Sequence, residues 1–196
     1  MQGPGEHGTE RGAREFVNRR LKRSVALVGM MGAGKTAVGA QLARLLQVPF
    51  LDSDEAIEAA ANMSVAEIFA RDGEAFFRAK EAQVLARLMS GQPCVLSTGG
   101  GAFLSAENRH TIATRGVSVW LKVDLDLLWS RVRHRSSRPL LRTANPRGTL
   151  ATLLAERAPV YALADVIVDA VPGLSLEAMA QRVLTALEAR AEIWED

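Results

Sequence analysis

Residues 24–36 read SVALVGMMGAGKT, an apolar run that leads into glycines, a lysine and a threonine. Residues 29–36 fit the pattern G-x-x-x-x-G-K-[ST] without a mismatch. Glycines let backbone N–H groups turn inward around a phosphate chain, and the helix that follows presents its positive end to the same charge. A glycine-rich turn without function is the alternative, but the strand–loop–helix context favours nucleotide binding. We therefore predict a P-loop, in which Lys35 bridges the outer phosphates and the Thr36 hydroxyl contacts Mg²⁺.

Length and composition predict one soluble domain. The chain has 196 residues, of which 48% are hydrophobic and 23% charged, as in ordinary globular proteins. Its apolar runs are too short to cross a membrane. Cys94 is the single cysteine, which excludes a disulfide framework or a cysteine-based metal site. We expect a cytoplasmic protein without a membrane partner.

The first 24 residues differ in character from the rest. They hold six arginine or lysine residues against three glutamates, a net charge of +3. This segment lacks the apolar core of a secretory signal. We interpret residues 1–24 as a basic N-terminal extension, partly disordered or helical, and residues 25–194 as a single kinase domain. Charge alone is weak evidence for nucleic acid, so we expect no such partner.

From residue 24 onward, short apolar runs alternate with amphipathic stretches. Strands are predicted at residues 24–29, 48–52, 94–98, 117–123 and 165–169. Helices are predicted at residues 36–47, 73–89, 105–116, 124–134, 149–163 and 175–194, with a further start at the S-x-x-E capping box of Ser64 and Glu67. Strands that are apolar on both faces and alternate with helices imply a parallel sheet covered on both sides. The predicted fold class is α/β: a three-layer P-loop kinase fold, with a central five-stranded parallel sheet flanked by helices and a mobile lid.

Two aspartates, Asp52 and Asp54, follow the second predicted strand in FLDSDEAIE, residues 50–58. Helix capping is the simplest explanation. However, the carboxyl end of this strand shares a sheet edge with the P-loop, where ligands bind. Asp52 suits Mg²⁺, because hard cations prefer carboxylate oxygen. If the chain stays extended, Asp54 projects to the same side and can accept a hydrogen bond or a proton from an attacking alcohol.

A basic stretch, RVRHRSSRPLLRTANPR at residues 131–147, contains six arginines and no acid. A solvated loop is one interpretation. Long irregular connections in compact domains are often lids, and an arginine on a closing lid stabilises the charge of a transferring phosphoryl group. We choose Arg138 for that role because Pro139 limits its local freedom. Arg131, near the end of the preceding helix, is within reach of the nucleotide phosphates or base.

Two further arginines, Arg78 and Arg157, and a glycine run suggest an acceptor site. Guanidinium groups grip carboxylates in bidentate fashion, so two arginines facing the cleft would imply an acidic acceptor. Each can equally pair with neighbouring glutamates: Glu74 or Glu81 for Arg78, and Glu156 for Arg157. Residues alone leave that choice open. The run STGGGAF, residues 97–103, permits very close approach to a ligand and predicts a substrate wall.

Taken in order, these motifs resemble the shikimate kinase family. They are GMMGAGKTAVG, DSD, FRAKE, STGGG, RPLL and ER-x-P-x-Y, and the resemblance runs from about residue 25 to about residue 187. It implies transfer of the γ-phosphoryl group of ATP to the 3-hydroxyl of shikimate, with Mg²⁺, on a nucleoside-monophosphate-kinase-like fold. It also implies a substrate-binding region at about residues 53–80 and a lid at about residues 135–149. We expect a monomer.

The resemblance implies a role for each matching residue. Catalytic roles fall to Lys35, Asp54 and Arg138. Shikimate binding falls to Asp54, Arg78, Gly99, Gly100, Gly101, Arg138 and Arg157. Nucleotide binding falls to Gly32, Ala33, Gly34, Lys35, Thr36, Ala37, Arg131 and Arg138, and metal binding to Thr36 and Asp52.

Two departures from the family pattern stand out. The basic extension has no counterpart in the family's minimal form. Residues 169–175, DAVPGLS, are short and apolar where the family often has a longer polar loop around adenine, so the adenine contacts stay unassigned. The alternatives are a gluconate-type kinase of the same fold, a regulatory nucleotide-binding module, and a nucleic-acid-binding protein that uses the basic extension.

Overall fold

The computed structural model of the protein describes residues 20–133 and 143–195. Its five strands are β1 Ser24–Val28, β2 Phe50–Asp52, β3 Val95–Ser97, β4 Gly116–Lys122 and β5 Val166–Asp169. They form one sheet in the order β2-β3-β1-β4-β5, and every neighbouring pair is parallel. The predicted five-stranded parallel sheet is therefore confirmed.

Helices connect the strands and cover both faces of the sheet. They are α1 Lys35–Leu46, α2 Ser53–Ala61, α3 Val65–Leu88, α4 Ala106–Arg115, α5 Leu125–Val132, α6 Pro146–Tyr161 and α7 Leu176–Glu188. Short 3₁₀ helices lie at Ala102–Leu104 and Ala191–Ile193. Within the described ranges, no helix combines the length and the apolar character needed to cross a membrane.

The strand register brings three motifs to one sheet edge. Ser97 at the end of β3 lies beside Leu27 of β1 on one side and beside Asp52 of β2 on the other. The strands are parallel, so the P-loop after β1, the acids after β2 and the glycines after β3 leave the sheet on the same side. β1 is buried at all its residues and anchors this arrangement in the main core.

Helix α2 begins one residue after Asp52, so the chain does not stay extended through Asp54, which was the condition for its predicted projection. The Oδ1 atom of Asp52 accepts the N–H groups of Asp54, at 3.0 Å, and Glu55, at 3.4 Å. Aspartate is a strong N-cap because it satisfies donors that the first helical turn leaves free. The cap of α2 is therefore Asp52, and Asp54 reaches the cleft from the first turn of the helix.

Helix α3 consists of two helical segments that meet at Gly73. Gly73 has φ 80° and ψ 173°, a conformation open almost only to glycine. The predicted capping box of Ser64 and Glu67 is present at its start. Helix α2 and both segments of α3 enclose a small hydrophobic core of their own, formed by Ile57, Ile68 and Phe77 and separate from the main core. We call this cluster the acceptor core.

The last predicted helix is shorter than expected. α7 ends at Glu188, and Trp194 forms an antiparallel bridge with Leu21. Backbone bonds from Lys22 N to Ile193 O, 2.8 Å, and from Glu195 N to Arg20 O, 2.9 Å, flank the bridge. Both Leu21 and Trp194 are buried, and burial of these two apolar side chains favours the turn over a continued helix. α6 begins earlier than predicted, at Pro146, because Asn145 caps it through Gly148 N.

Candidate active site

The P-loop has the backbone that its glycines allow. Gly32 and Gly34 have φ values of 79° and 94°, in the left-handed region that side chains avoid. Gly34 caps α1, so the helix N-terminus opens into the loop. Lys35 is buried, and its Nζ atom donates to the carbonyls of Gly29, at 2.8 Å, and Met30, at 3.0 Å. These bonds hold the ammonium group against the inside of the loop.

Thr36 and Asp52 form a pair of oxygen donors beside the P-loop. The Thr36 hydroxyl donates to Oδ2 of Asp52 at 3.0 Å, while Oδ1 of Asp52 caps α2. The Ser97 hydroxyl lies 3.3 Å from that of Thr36. Magnesium usually takes one or two carboxylates and completes its shell with water and phosphate oxygen. This donor set fits such an ion; in the described part of the chain no cluster of three or more His, Cys, Asp or Glu side chains could hold a metal.

Asp54 presents a carboxylate oxygen that lacks a partner. Its Oδ1 atom is buried and accepts no hydrogen bond within the described residues. Burial and the negative charge of Asp52 raise the pKa of Asp54, while the cations Lys35 and Arg78 oppose the rise. Buried polar atoms are usually paired, so this orphan oxygen marks a place where a ligand hydroxyl fits.

The glycines Gly99, Gly100 and Gly101 form a wall, here called the glycine wall, between Asp54 and Arg78. A Cβ atom at Gly99 would lie 2.6 Å from Oδ1 of Asp54, and one at Gly101 would lie 2.6 Å from Nη1 and Nη2 of Arg78. The N–H of Gly99 donates to the hydroxyl of Ser53 at 3.1 Å, and Ser53 is fully buried. The wall therefore needs glycine because both functional side chains lie directly against it.

Arg78 pairs with both neighbouring glutamates in this structure. It lies 2.9 Å from Glu81 and 3.3 Å from Glu74. Glu81 is 1% exposed, and burial raises its pKa while Arg78 opposes the rise. Arg78 therefore does pair with its neighbouring glutamates, but its guanidinium still lies against the glycine wall. The buried Glu81 instead fixes Arg78 against Gly101.

Arg157 behaves differently from Arg78. Among the described residues, Arg157 and its neighbour Glu156 form no ion pair within 4.0 Å. Burial raises the pKa of the Tyr161 hydroxyl, one turn further along α6, while the charges of Arg157 and Arg78 oppose the rise. Both arginines therefore lie close enough to act on this one hydroxyl.

A cleft of about 570 Å³ is lined by the P-loop, Asp52, Asp54 and Gly100, and it extends to Arg131 and beyond. Its lining does not include Arg78, Gly99, Gly101 or Arg157. Arg131, in the last turn of α5, donates to the carbonyls of Gly32, at 3.3 Å, and Ala33, at 3.1 Å. The far end of the cleft is lined by residues from the connection between β5 and α7 and from α7, namely Ala170, Val171, Leu174, Ser175, Leu176 and Met179. We noted the apolar character of residues 169–175 from the sequence but did not predict their position in this cleft. Arg138, predicted for the lid, lies outside the described residues.

Three further residues of this region were not predicted for it. Ser53 ties the acid-bearing turn to Gly99, and Glu81 appeared in our sequence reasoning only as a competing partner of Arg78. Tyr161 appeared only as the last letter of ER-x-P-x-Y. A local signal existed for one of them, since Tyr161 lies four residues after Arg157 and therefore on the same helical face.

Comparison with known proteins decides the family. The shikimate kinase family model matches residues 31–188. This chain belongs to the shikimate kinase family. A shikimate kinase from Cereibacter sphaeroides is 65% identical over 179 residues, 91% of this chain and 89% of its own. The resemblance inferred from the ordered motifs is confirmed.

Solved structures agree with membership of the shikimate kinase family. A shikimate kinase from Acinetobacter baumannii, in complex with shikimate, superposes with a TM-score of 0.83 at 37% identity, covering 91% of this chain and 98% of that one. A gluconokinase from Sinorhizobium meliloti 1021 reaches a TM-score of 0.59 at 19% identity, covering 89% of this chain and 96% of that one. The second likeness shows a shared fold alone, and it gives the gluconate alternative no support beyond that fold.

Proposed function

We propose that this protein transfers the γ-phosphoryl group of ATP to the 3-hydroxyl of shikimate. The observation that carries the proposal is the unpartnered carboxylate oxygen of Asp54, in the same cleft as the P-loop and against the glycine wall. Membership of the shikimate kinase family and the likeness to the Acinetobacter baumannii protein, which was solved with shikimate, support this choice of substrate.

The nucleotide is bound by the first half of the site. The backbone amides of residues 32–37 and the N-terminus of α1 surround its phosphates, and Lys35 exchanges its carbonyl partners for phosphate oxygens. Arg131, held on the P-loop carbonyls, lies between the phosphates and the apolar recess for the base. Because phosphoryl transfer depends on positioning and charge stabilisation, these groups supply much of the catalysis.

Thr36 and Asp52 would hold Mg²⁺. When bound, this ion would neutralise charge on the outer phosphates of ATP. The division of labour within Asp52 suits this role, because one oxygen is committed to capping α2 while the other faces Thr36. The cap keeps the second oxygen in place before the nucleotide arrives.

The acceptor is held on the other side of the glycine wall. Arg78 and Arg157 bind its carboxylate, and Asp54 accepts a hydrogen bond from the hydroxyl that is phosphorylated. The pKa of Asp54 is raised and so lies closer to neutral pH than that of an ordinary aspartate. The ionised carboxylate is therefore a stronger base and a better proton acceptor. The positive charge of Lys35 opposes that rise in pKa and favours the ionised carboxylate. Arg138 is proposed to stabilise the transferring phosphoryl group.

We also infer that the protein works as a cytoplasmic monomer without a nucleic-acid partner. The basis is its ordinary composition and the weak, local origin of its positive charge. Sedimentation velocity at micromolar concentration should give a single species of about 21.1 kDa, the mass of one chain. A stable dimer would contradict this inference. So would retention on heparin that is strong and weakens steeply as added salt screens exposed charges, because that dependence is typical of nucleic-acid binding.

One assay tests the proposed reaction. ADP release from Mg²⁺-ATP is measured with shikimate, with gluconate and with a nucleoside monophosphate as acceptor. We expect turnover with shikimate, and at least about 100-fold lower kcat/KM with the other two. Gluconate has a carboxylate and hydroxyls but lacks a ring that fixes their spacing, and a nucleoside monophosphate has no carboxylate for Arg78 and Arg157. Absence of shikimate-dependent turnover, under conditions where ATP binding is shown by calorimetry, would refute the proposal.

A further inference from the structure

Tyr161 is the single tyrosine of the chain, and it is fully buried at the C-terminal end of α6. Its ring packs against Trp120, with 5.9 Å between the ring centroids. Its hydroxyl lies within hydrogen-bond reach of two groups from different parts of the site, the carbonyl of Gly100 and the sulfur of Met30 at 3.8 Å. The charge of Arg157, one turn earlier on α6, acts on the same hydroxyl.

The hydroxyl has one proton and therefore a definite direction. A carbonyl oxygen is a much stronger acceptor than a thioether sulfur, so the proton goes to Gly100. The hydroxyl oxygen keeps a lone pair after this bond, and the positive charge of Arg157 favours electron density there. Tyr161 thus bonds to Gly100 on one side and has Arg157 as its charged neighbour on the other. Burial raises the pKa of the Tyr161 phenol, which keeps it in the neutral, donating form.

The hydrogen bond from Tyr161 to Gly100 fixes the glycine wall. Gly100 lies between Tyr161 and the P-loop, since a Cβ atom there would be 3.4 Å from the N atom of Met31. The peptide between Gly100 and Gly101 is planar and trans, so its N–H points away from its carbonyl. That N–H of Gly101 donates to no group among the described residues. Holding the carbonyl thus also orients a free amide donor beside Arg78.

We propose that Tyr161 is a positioning residue for the acceptor. Its hydroxyl aligns the guanidinium of Arg157 and the Gly100–Gly101 peptide together, so that the carboxylate of the acceptor meets a preformed set of donors. The inference rests on the proposed function in one respect, since it takes shikimate as the acceptor. The carbonyl of Gly100 satisfies the buried hydroxyl and at the same time ties it to the glycine wall.

The first test is Tyr161→Phe, which keeps the ring and removes the hydroxyl. We expect KM for shikimate to rise about tenfold, while kcat and KM for ATP change by less than about twofold. Ile193→Val is the matched control, because it trims a fully buried side chain that does not line the cleft. It should lower the melting temperature and leave KM for shikimate unchanged. Unchanged KM in Tyr161→Phe, or an equal loss in kcat, would overturn the proposal.

A double-mutant cycle separates positioning from general packing. Arg157→Lys keeps the charge and loses the planar, bidentate donor. If Tyr161 acts through Arg157, the increase in KM for shikimate in the double variant is smaller than the product of the increases in Tyr161→Phe and Arg157→Lys. If the product of the two increases equals the increase in the double variant, the residues act independently and the proposal fails.

A spectroscopic readout makes the outcome independent of turnover. Tyrosine labelled with ¹³C at the ζ-carbon gives one NMR signal in this protein, because there is one tyrosine. We expect shikimate alone to shift that signal in the wild-type protein and not in Arg157→Lys. A shift without phosphorylation would refute the proposed reaction and keep the role of Tyr161 in acceptor binding. Phosphorylation without a shift would do the reverse, and the absence of both would refute both.

Discussion

The carboxylate of Asp54 lies so close to Gly99 that a single methyl group would collide with it. A Cβ atom at Gly99 would be 2.6 Å from Oδ1 of Asp54 and 3.1 Å from Oε1 of Glu81. These two acids come from α2 and α3, and the strand that precedes Gly99 brings the glycine between them. The relationship joins backbone and catalysis, because the position of the proposed base depends on the lack of a side chain at residue 99.

Gly99→Ala should therefore reduce activity without unfolding the protein. We expect kcat to fall by about 10- to 100-fold, because displacement of a reacting group by about 1 Å has that effect. Gly91→Ala is the matched control, since the nearest atom to a Cβ there is 3.7 Å away, an ordinary contact. Thermal unfolding and steady-state kinetics of both variants check the prediction. Equal activity in the two would show that Asp54 tolerates displacement.

Asp54→Asn tests the carboxylate itself. The variant keeps the shape of the side chain and removes its charge, so it should fold and bind ATP while kcat falls at least about 100-fold. Glu107→Gln, an exposed acid in the first turn of α4, is the control for loss of one negative charge. Calorimetry measures ATP binding, and the coupled ADP assay measures turnover. Near-normal turnover in Asp54→Asn would reduce Asp54 to a structural residue.

The raised pKa of Asp54 also predicts a pH-dependent change in stability. The unfolded carboxyl titrates near its ordinary value of 3.8, and the folded one titrates higher because of burial and the charge of Asp52. Above the folded-state pKa, the ionised group therefore favours unfolding; this cost fades as pH falls and vanishes below the unfolded-state pKa. Asp54→Asn should be more stable than the wild type at neutral pH, and the difference in melting temperature should shrink toward pH 4. A difference that stays constant with pH would contradict the raised pKa.

Substitution can separate the two roles of Asp52, which are helix capping and metal binding. Asparagine caps helices as well as aspartate does, so Asp52→Asn should keep α2 and leave the melting temperature about unchanged. It removes the charge that faces Thr36, so the Mg²⁺ concentration for half-maximal activity should rise about tenfold or more. Asp52→Ala should lose the cap as well, at a cost of about 1 kcal/mol in the free energy of unfolding. An unchanged Mg²⁺ requirement in Asp52→Asn would rule out Asp52 as a metal ligand.

The apolar recess that we propose for the nucleotide base predicts weak discrimination between purines. Its far end is mostly apolar, and the hydroxyl of Ser175 is engaged in capping α7 through Ala178 N at 3.1 Å. Sites that read a polar group by hydrogen bonds reject analogues by 10⁴-fold or more, whereas apolar pockets discriminate by only about 10- to 200-fold. We expect kcat/KM for ATP to exceed that for GTP by no more than about 100-fold. A preference above about 10⁴-fold would show a polar readout of adenine.

Sequence reasoning succeeded where a feature is local. The P-loop is one contiguous segment, and the alternation of apolar strands with helices needs no long-range information. The ordered motifs were sufficient for the family, because each is a short run that survives without its structural context. The common sheet edge followed from parallel pairing, which places Thr36 and Asp52 within hydrogen-bond distance.

Sequence reasoning failed where a side chain has a choice of distant partners. Asp52 was a suitable cap and so was Asp54, and only the observed start of α2 decides between them. Ser53 bonds to Gly99 across 46 residues of chain, and Tyr161 bonds to Gly100 across 61. No periodicity or spacing encodes such pairs. They arise when the sheet brings the segments together, and they were visible only in the structure.

The acceptor core under α2 and α3 gives the enzyme two hydrophobic bodies of unequal size. Ile57, Ile68 and Phe77 stabilise the segment that carries Asp54, Arg78 and Glu81, while the sheet and the P-loop rest on the main core. Gly73 interrupts α3 within the smaller body, between Ile68 and Phe77, at a conformation that few residues can adopt. Substitutions in the smaller body can therefore change which alcohol the enzyme accepts during evolution. The larger body, with its P-loop and its phosphate donor, need not change with them.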